Sequence, residues 1–114
     1  YDEGPLLSLR SKTARVANTW KVESYKINDA DNTALLTNLN YTETYDKDGN
    51  FSFSSSLGTG SGKWDFQSDK EQIKRSGVSS QSTETLYILK LKENEFWYYY
   101  MDGNVRHEVH LIDN

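Results

Sequence analysis

Cysteine is absent from this 114-residue chain, which also has only one proline and two histidines. The absence of cysteine excludes disulfides, thiolate nucleophiles and zinc sites built on sulfur. No apolar run approaches the roughly 20 residues that a transmembrane helix needs, so none is expected. Positive charge is scarce, with 13 Lys and Arg against 17 Asp and Glu and a formal charge of −4. Nucleic acid is therefore not expected as a partner, because phosphate recognition needs clustered positive potential.

Aromatic residues, in contrast, are abundant: three Trp, eight Tyr and four Phe make up 13% of the chain. Each buries roughly 150–250 Å² when enclosed, so a few aromatics can replace many aliphatic side chains in a core. Aromatic and hydroxyl side chains together are typical of pleated strands with one solvated face. The length matches a single domain. The composition therefore predicts one folded β domain.

Apolar and polar residues alternate from Trp20 onward, in short segments separated by turn residues. A change of phase between Val22 and Tyr25 predicts a bulge or a twist within the first strand. The predicted strands are 20–27, 41–45, 51–55, 63–67, a short one around Ile73, 85–92, 95–101 and 104–112. Short connections imply antiparallel neighbours, and closing the sheet removes its exposed edges. The fold expected is an all-β, eight-stranded antiparallel up-and-down barrel, with a two-sheet sandwich as the alternative.

Outside the strands, residues 11–18 form the only predicted helix, with Ser11 as its cap. The glycine-rich segment 58–62 is predicted to be a turn, and the polar segment 76–83 a loop. Residues 1–10 are expected to be a tail that follows a removed export signal. The domain is therefore expected to span residues 11–114.

Several segments, in their order and spacing, resemble the small lipocalin-like domains of exported Bacteroidetes proteins, many of which are lipoproteins. The resemblance covers about residues 8–112 and rests on Trp20-Lys-Val-Glu-Ser24, Tyr45-Asp-Lys-Asp-Gly-Asn-Phe-Ser-Phe53, Gly62-Lys-Trp-Asp-Phe66, Leu89-Lys-Leu-Lys-Glu-Asn-Glu-Phe96 and Tyr100-Met-Asp-Gly103. It implies a calycin-type barrel, export to the periplasm or the cell surface, a lipid anchor upstream of Tyr1, and a small hydrophobic ligand.

The same resemblance assigns a structural role to Trp20, which matches the tryptophan that closes one end of lipocalin barrels. Lipocalins place an arginine from the last strand over that tryptophan, and Arg106 is the candidate here. Asn18 stands where those proteins commonly have glycine. No binding residue is implied by these positions.

Tyrosine hydroxyls are the main clue to a binding site, because a buried hydroxyl without a partner costs about 1–3 kcal/mol. A polar or wet cavity inside the barrel would provide such partners, as would positions at its rim. Pockets typically combine an aromatic wall with a few polar groups. The candidate lining consists of Trp64, Phe66, Tyr87, Phe96, Tyr98, Tyr100 and His107.

Metal binding and catalysis receive little support from the sequence, and no cofactor is expected. His107 and His110 are three residues apart on a strand, so their side chains point to opposite faces and cannot hold one ion. One of them is expected to face the interior, with a tyrosine as a candidate partner. Asp46-Lys-Asp-Gly-Asn50 resembles the start of a calcium loop, but its sixth and twelfth positions are Phe51 and Leu57, so a hairpin turn is expected. No nucleophile motif or phosphate loop is present.

Three functions remain open. The first is a non-catalytic, exported barrel that holds a small hydrophobic or amphipathic molecule. The alternative is a filled barrel that docks a protein partner through an outer aromatic face of Trp97, Tyr99 and Met101. An enzyme on the same barrel is the third, and it would need a cleft containing a carboxylate or histidine with a perturbed pKa.

Overall fold

The computed structural model describes residues 8–69, 71–77 and 83–114, and for residues 8–11 only the backbone. Two short helices and nine strands lie within these ranges. The helices are α1 (Ser8–Val16) and α2 (Thr33–Thr37). The strands are β1 (Asn18–Ile27), β2 (Ala30–Asp31), β3 (Thr42–Tyr45), β4 (Asn50–Ser55), β5 (Gly58–Gln67), β6 (Gln72–Ser76), β7 (Thr83–Lys92), β8 (Glu95–Asp102) and β9 (Val105–Asp113).

Eight of these strands close into an antiparallel barrel. β3 to β9 pair in sequence order, β1 pairs with β3, and β9 pairs with β1 from Trp20↔Asp113 to Ile27↔His107. β2 is a two-residue addition that pairs only with the end of β1. This closure confirms the predicted barrel and excludes the two-sheet sandwich, because the last strand bonds back to the first instead of leaving two sheet edges.

Within β1 the predicted bulge is confirmed, since the register with β9 shifts between Val22 and Ser24. The shift brings Tyr25 onto the inner face that Trp20 and Val22 already occupy, and all three side chains are buried. A strict alternation would have turned Tyr25 outward.

The helix prediction was wrong in its bounds and incomplete, because α1 spans Ser8–Val16 and the second helix, α2, was not predicted. α1 ends at Val16, and Asn18 already belongs to β1, where it pairs with Tyr45 and its side chain donates to Asp113 Oδ1 at 2.9 Å. Trp20 Nε1 donates to the Val16 carbonyl at 3.0 Å and thereby satisfies one of the free carbonyls at the helix end. Residues 1–7, which include most of the predicted tail, lie outside the described part of the chain.

The predicted turn 58–62 was wrong, because these residues form the first half of β5 and pair with β4. The ring of Phe53 covers the paired Gly60, where an added Cβ would lie only 2.5 Å from Phe53 Cε2. Gly60 is therefore not a turn residue. Its lack of a side chain leaves space for the Phe53 ring to pack on the backbone of β5. Most of the predicted loop 76–83 lies outside the described residues.

The two ends of the barrel differ. At one end α1 packs beneath the barrel, and the interior is filled by a buried cluster that includes Trp20, Phe96, Leu91 and Leu111. At the other end lie α2 and the turn between β8 and β9. Neither described helix is long or apolar enough to cross a membrane.

Candidate ligand-binding site

A cavity of about 280 Å³ occupies the half of the barrel near α2. This volume is close to the lower limit for ligand pockets in proteins. Six aromatic residues, three charged residues and two aliphatic ones line it: Tyr25, Leu36, Tyr41, Glu43, Phe51, Phe53, Arg75, Glu84, Tyr98, Tyr100 and Val109. The apolar core fills only part of the barrel and leaves room for a small molecule.

Strand alternation explains why this lining contains charged groups. On the β3 side, Tyr41, Glu43 and Tyr45 share one face, and Glu43 and Tyr45 are buried. On β6, Arg75 shares its face with Ile73, and both are buried. The inward face of the sheet therefore brings a carboxylate and a guanidinium together inside the barrel.

Glu43 is the centre of a buried hydrogen-bond network and is only 1% exposed. Its Oε2 accepts hydrogen bonds from Tyr41 Oη at 2.6 Å and Tyr98 Oη at 2.7 Å, and its Oε1 accepts one from Tyr45 Oη at 2.8 Å. Arg75 Nη1 lies 3.2 Å from Oε2. Three donated phenol hydrogens and one cation form the environment of an ionised carboxylate, which can only accept.

Arg75 completes the network and is 4% exposed. Its Nη1 donates to Tyr45 Oη at 3.1 Å, and its Nη2 lies 3.1 Å from Glu84 Oε1. The guanidinium carbon is 4.5 Å from the ring centre of Phe51 and 5.6 Å from that of Tyr98. Because the buried charge is paired and also faces aromatic rings, its removal from water is partly compensated.

The network shifts the pKa of its members. Burial raises the pKa of Tyr98 and Tyr41 above the ordinary phenol value, and the negative charge of Glu43 raises it further. Burial raises the pKa of Tyr45 as well, although Arg75 opposes that shift. Burial disfavours the charged form of Arg75 and by itself would lower its pKa. The interactions with Tyr45 and Glu43 outweigh this effect, so the pKa of Arg75 is raised. The phenols therefore remain hydrogen-bond donors.

The structure places the predicted lining residues at three different sites. Tyr98 and Tyr100 line the cavity. Phe96 and Trp64 are buried in the apolar cluster beneath it, with Phe66 half-buried against Trp64 at 5.2 Å between ring centres. Tyr87 turns away from the buried Leu86 and Ile88 and stacks on Tyr99 at 4.9 Å.

Of the two histidines, His107 is the one that faces the interior. Its ring lies parallel to Tyr100 with 4.7 Å between ring centres, and its Nδ1 is 2.7 Å from Tyr25 Oη. Tyr25 and Tyr100 both line the cavity, whereas His107 packs beside them on the inner face and is not itself a lining residue. The expected tyrosine partner is confirmed. His110 lies on the outer face and stacks on Trp97 at 3.8 Å.

Trp20 is fully buried beside α1, and its ring meets Phe96 edge-on at 5.7 Å. Arg106 is not placed over it. Trp20 pairs with Asp113 at one end of β9, whereas Arg106 lies near the other end and pairs with Met101. Its guanidinium covers the outward ring of Tyr99 at 4.0 Å and pairs with Glu108 at 3.0 Å. In the described residues, α1 supplies the cover that was expected from Arg106.

The outer aromatic face is covered by its own neighbours. The ammonium of Lys90 lies 4.2 Å from the ring centre of Trp97, whose ring also stacks on His110. Tyr99 lies between Arg106 and Tyr87. Both residues are half-buried, and only Met101 is an exposed large apolar side chain on this face. Polar and charged groups thus interrupt the proposed docking patch.

Only Tyr98 and Tyr100 of the eleven lining residues belong to the predicted lining, and the nine others include the charged Glu43 and Arg75. The signal was present, because Tyr41, Glu43 and Tyr45 alternate with Thr42 and Thr44, and Arg75 is two residues from Ile73. A charged residue in phase with buried aromatic and aliphatic neighbours predicts a buried charge. The two charges come from β3 and β6, which are not adjacent in the sheet, so only the barrel closure shows that they pair.

The described residues contain no group of three His, Asp or Glu side chains that could hold a metal ion. No family model matches the sequence, and no curated protein shows significant similarity to it.

Proposed function

We propose that this barrel is a non-catalytic binding protein for a small amphipathic molecule. The observation that supports this proposal is the cavity of about 280 Å³. Its walls are aromatic, and Glu43 and Arg75 of the buried network are among its lining residues. The apolar part of the ligand lies against Phe51, Phe53 and the tyrosine rings. Its polar part reaches the network, whose arginine still has donor capacity.

The absence of catalysis is part of this proposal and is supported by the state of Glu43. Both of its oxygens already accept hydrogen bonds from phenols, and Arg75 lies against one of them. A general base must come within hydrogen-bond reach of the proton that it removes, and Oε2 of Glu43 is already occupied by two phenols and Arg75. Glu43 therefore has a structural role, because its contacts hold the cavity-lining side chains of Tyr41, Tyr98 and Arg75 in position.

Export to the periplasm or cell surface is proposed on the resemblance to exported lipocalin-like domains. Fractionation of the source cells tests it, and recovery of the protein in the cytosolic fraction would contradict it.

Native mass spectrometry of the protein purified from its own source tests the binding proposal. We expect an additional mass that is lost on denaturation. In a second experiment, the purified protein is titrated by calorimetry with 1-octanol, octanoate, octylammonium and 3-phenylpropanol. At least one is expected to bind saturably.

The matched variants are Val109→Phe, which fills the cavity, and Ile112→Phe, which adds the same ring on the outer face of β9. Val109→Phe should weaken binding by about tenfold or more, which corresponds to about 1.4 kcal/mol. Ile112→Phe should leave binding unchanged. Equal affinity in both variants, or no extra mass and no binding by any compound, would overturn the proposal.

A further inference from the structure

One N–H group of Arg75 is unused inside the barrel. Nη1 serves Tyr45 and Glu43, and Nη2 serves Glu84, but Nε is buried and has no hydrogen-bond partner among the described residues. Buried polar groups in folded proteins are nearly always paired. Trp97 Nε1 and Arg106 Nε are also buried without a partner in the described residues, but of the three side chains only Arg75 lines the cavity, where a ligand can supply the acceptor.

The unused group belongs to a particular edge of the guanidinium. Nε–H and one Nη2–H point in the same direction and form a fork that matches the two oxygens of a carboxylate. Glu84 occupies only the Nη2 side of that fork, through a single oxygen at 3.1 Å. The fork is therefore half filled.

Glu84 is also the more easily displaced of the two acidic partners. It faces Arg75 across the β6–β7 pair and its side chain is 36% exposed, whereas that of Glu43 is 1% exposed. The Glu84 carboxylate reaches solvent and is rehydrated when it leaves Arg75, and the ligand carboxylate then keeps the buried guanidinium paired. Glu43 cannot, since three phenols hold it.

The volume limits the size of the ligand. A cavity of about 280 Å³ lies at the lower end of the range for ligand pockets, about 300–1,000 Å³, and suits a small molecule of about ten non-hydrogen atoms. Phe51 and Phe53 offer an apolar wall to its body. A medium-chain or arylalkyl acid has these dimensions.

We propose that the ligand is a small monocarboxylic acid with an apolar body, whose carboxylate takes the Nε and Nη2 donors of Arg75 and displaces Glu84. This inference rests on the proposed binding function and specifies its ligand class. Glu84 is then an internal substitute for the ligand carboxylate. Ligand binding releases it to the solvent at the cavity rim.

The test compares octanoate, 1-octanol and octylammonium, which share one chain and differ in headgroup charge, by calorimetry on the full chain. Octanoate is expected to bind most tightly. Glu84→Gln should tighten octanoate binding by about fivefold, the factor expected from removing a competing rim ion pair, and should leave 1-octanol unchanged. Glu93→Gln, in the β7–β8 turn at the opposite end of the barrel, makes the same change in net charge and should have no effect.

A second readout is the carbon resonance of octanoate labelled at its carboxyl. Next to Arg75 the bound acid should stay ionised to lower pH than the free acid, because the nearby cation favours the carboxylate. Neither this signal nor Glu84→Gln depends on removing the buried arginine, whose loss could prevent folding.

The outcomes separate the two proposals. Octanoate binding that Glu84→Gln leaves unchanged or weakens would overturn the carboxylate inference. Binding of 1-octanol or octylammonium without octanoate would also overturn it, while the binding function would stand. Failure of these three compounds and of 3-phenylpropanol to bind, together with no additional mass in the source-derived protein, would overturn both.

Discussion

Glu43 is the side chain on which the interior network depends. Removing one partner of a buried ion pair is far more costly than replacing both, because the remaining charge stays in a low-dielectric environment. In this barrel the remaining charge would be Arg75, and Glu84 would be its one acidic partner among the described residues. The three phenols would also lose their common acceptor.

For Glu43→Gln we therefore expect the free energy of unfolding to fall by about 3 kcal/mol, at the lower end of the range for a broken buried pair. Urea denaturation followed by tryptophan fluorescence measures it. The control is Glu23→Gln on the exposed side of β1, which should change stability by less than about 0.5 kcal/mol. Similar effects of the two substitutions would show that the network contributes nothing to folding.

At the scale of elements, β4 and β5 are joined by a contact between a ring and a glycine. Gly60→Ala would place a Cβ 2.5 Å from Phe53 Cε2 and 2.7 Å from Cζ, closer than real contacts allow. Overpacking of this kind costs about 1–3 kcal/mol, and we expect a loss of stability in that range on urea denaturation.

The double variant Phe53→Leu/Gly60→Ala provides the control for this contact. If the clash with the ring causes the loss, Gly60→Ala should cost clearly less when Phe53→Leu has already removed the ring, and the double-mutant cycle should show coupling. Additive effects would place the cause elsewhere in β5.

The hairpin between β3 and β4 depends on Asp46. Its Oδ1 accepts from the backbone amides of Asn50 and Asp48, at 2.8 and 2.9 Å, and its Oδ2 accepts from the Asn50 side chain. The hydrogen bond from the Asn50 backbone, followed by that from its side chain, holds the pKa of Asp46 below its usual value. A lowered pKa adds stability above the unfolded-state pKa of about 3.9, and this is lost as pH falls through the folded-state pKa.

Asp46→Ala should therefore lower the urea midpoint at neutral pH and reduce the loss of stability on acidification. Asp48→Ala, which removes the same charge two residues away, should do neither. Indistinguishable acid profiles for Asp46→Ala and the unsubstituted protein would contradict the turn's dependence on this carboxylate.

At the scale of the whole molecule, the buried tyrosines couple folding to alkaline pH. Burial, and for Tyr41 and Tyr98 the charge of Glu43, raise the pKa of these phenols in the folded state. Burial raises the pKa of Tyr45 in the same direction. In the unfolded chain they ionise near pH 10, so the folded state retains protons that the unfolded state has lost. Stability is therefore fully present below about pH 10 and is lost as pH rises above it.

Three such phenols give a limiting slope of about 4 kcal/mol per pH unit. Urea midpoints measured from about pH 8 to pH 11, together with tyrosinate absorbance, should show Tyr41, Tyr45 and Tyr98 ionising only on unfolding. Full ionisation in the folded barrel, with no loss of stability, would contradict the network.

Much of the barrel could be predicted from the sequence because short antiparallel strands are encoded locally. The alternation of residues from Trp20 onward and the turns at Asp46 and Asp102 needed only neighbouring residues. The bulge after Val22 was visible as a change of phase. The glycine segment 58–62 was misinterpreted, because the reason for its glycines is the Phe53 ring on another strand.

The candidate site was predicted less well. Strand phase placed Tyr98 and Tyr100 on the inner face together with Phe96, but it could not show how far along the barrel the filled core ends and the cavity begins. Tyr87 lies opposite the buried residues of β7, and Arg106 lies at the other end of the barrel from Trp20. The face that a side chain occupies and its position along the barrel axis depend on pairing between distant strands.

The sequence by itself determined the fold class, the number of barrel strands and the aromatic character of the interior, because composition and periodicity are local properties. Only the tertiary structure decided which charges meet. Glu43 and Arg75 come from strands that are not neighbours in the barrel order, and the cavity between their aromatic neighbours exists because the closed sheet brings these side chains across its interior. Which side chains meet across a closed barrel depends on the stagger of the strands and on the position of each residue along the barrel axis. Alternation along one strand encodes neither.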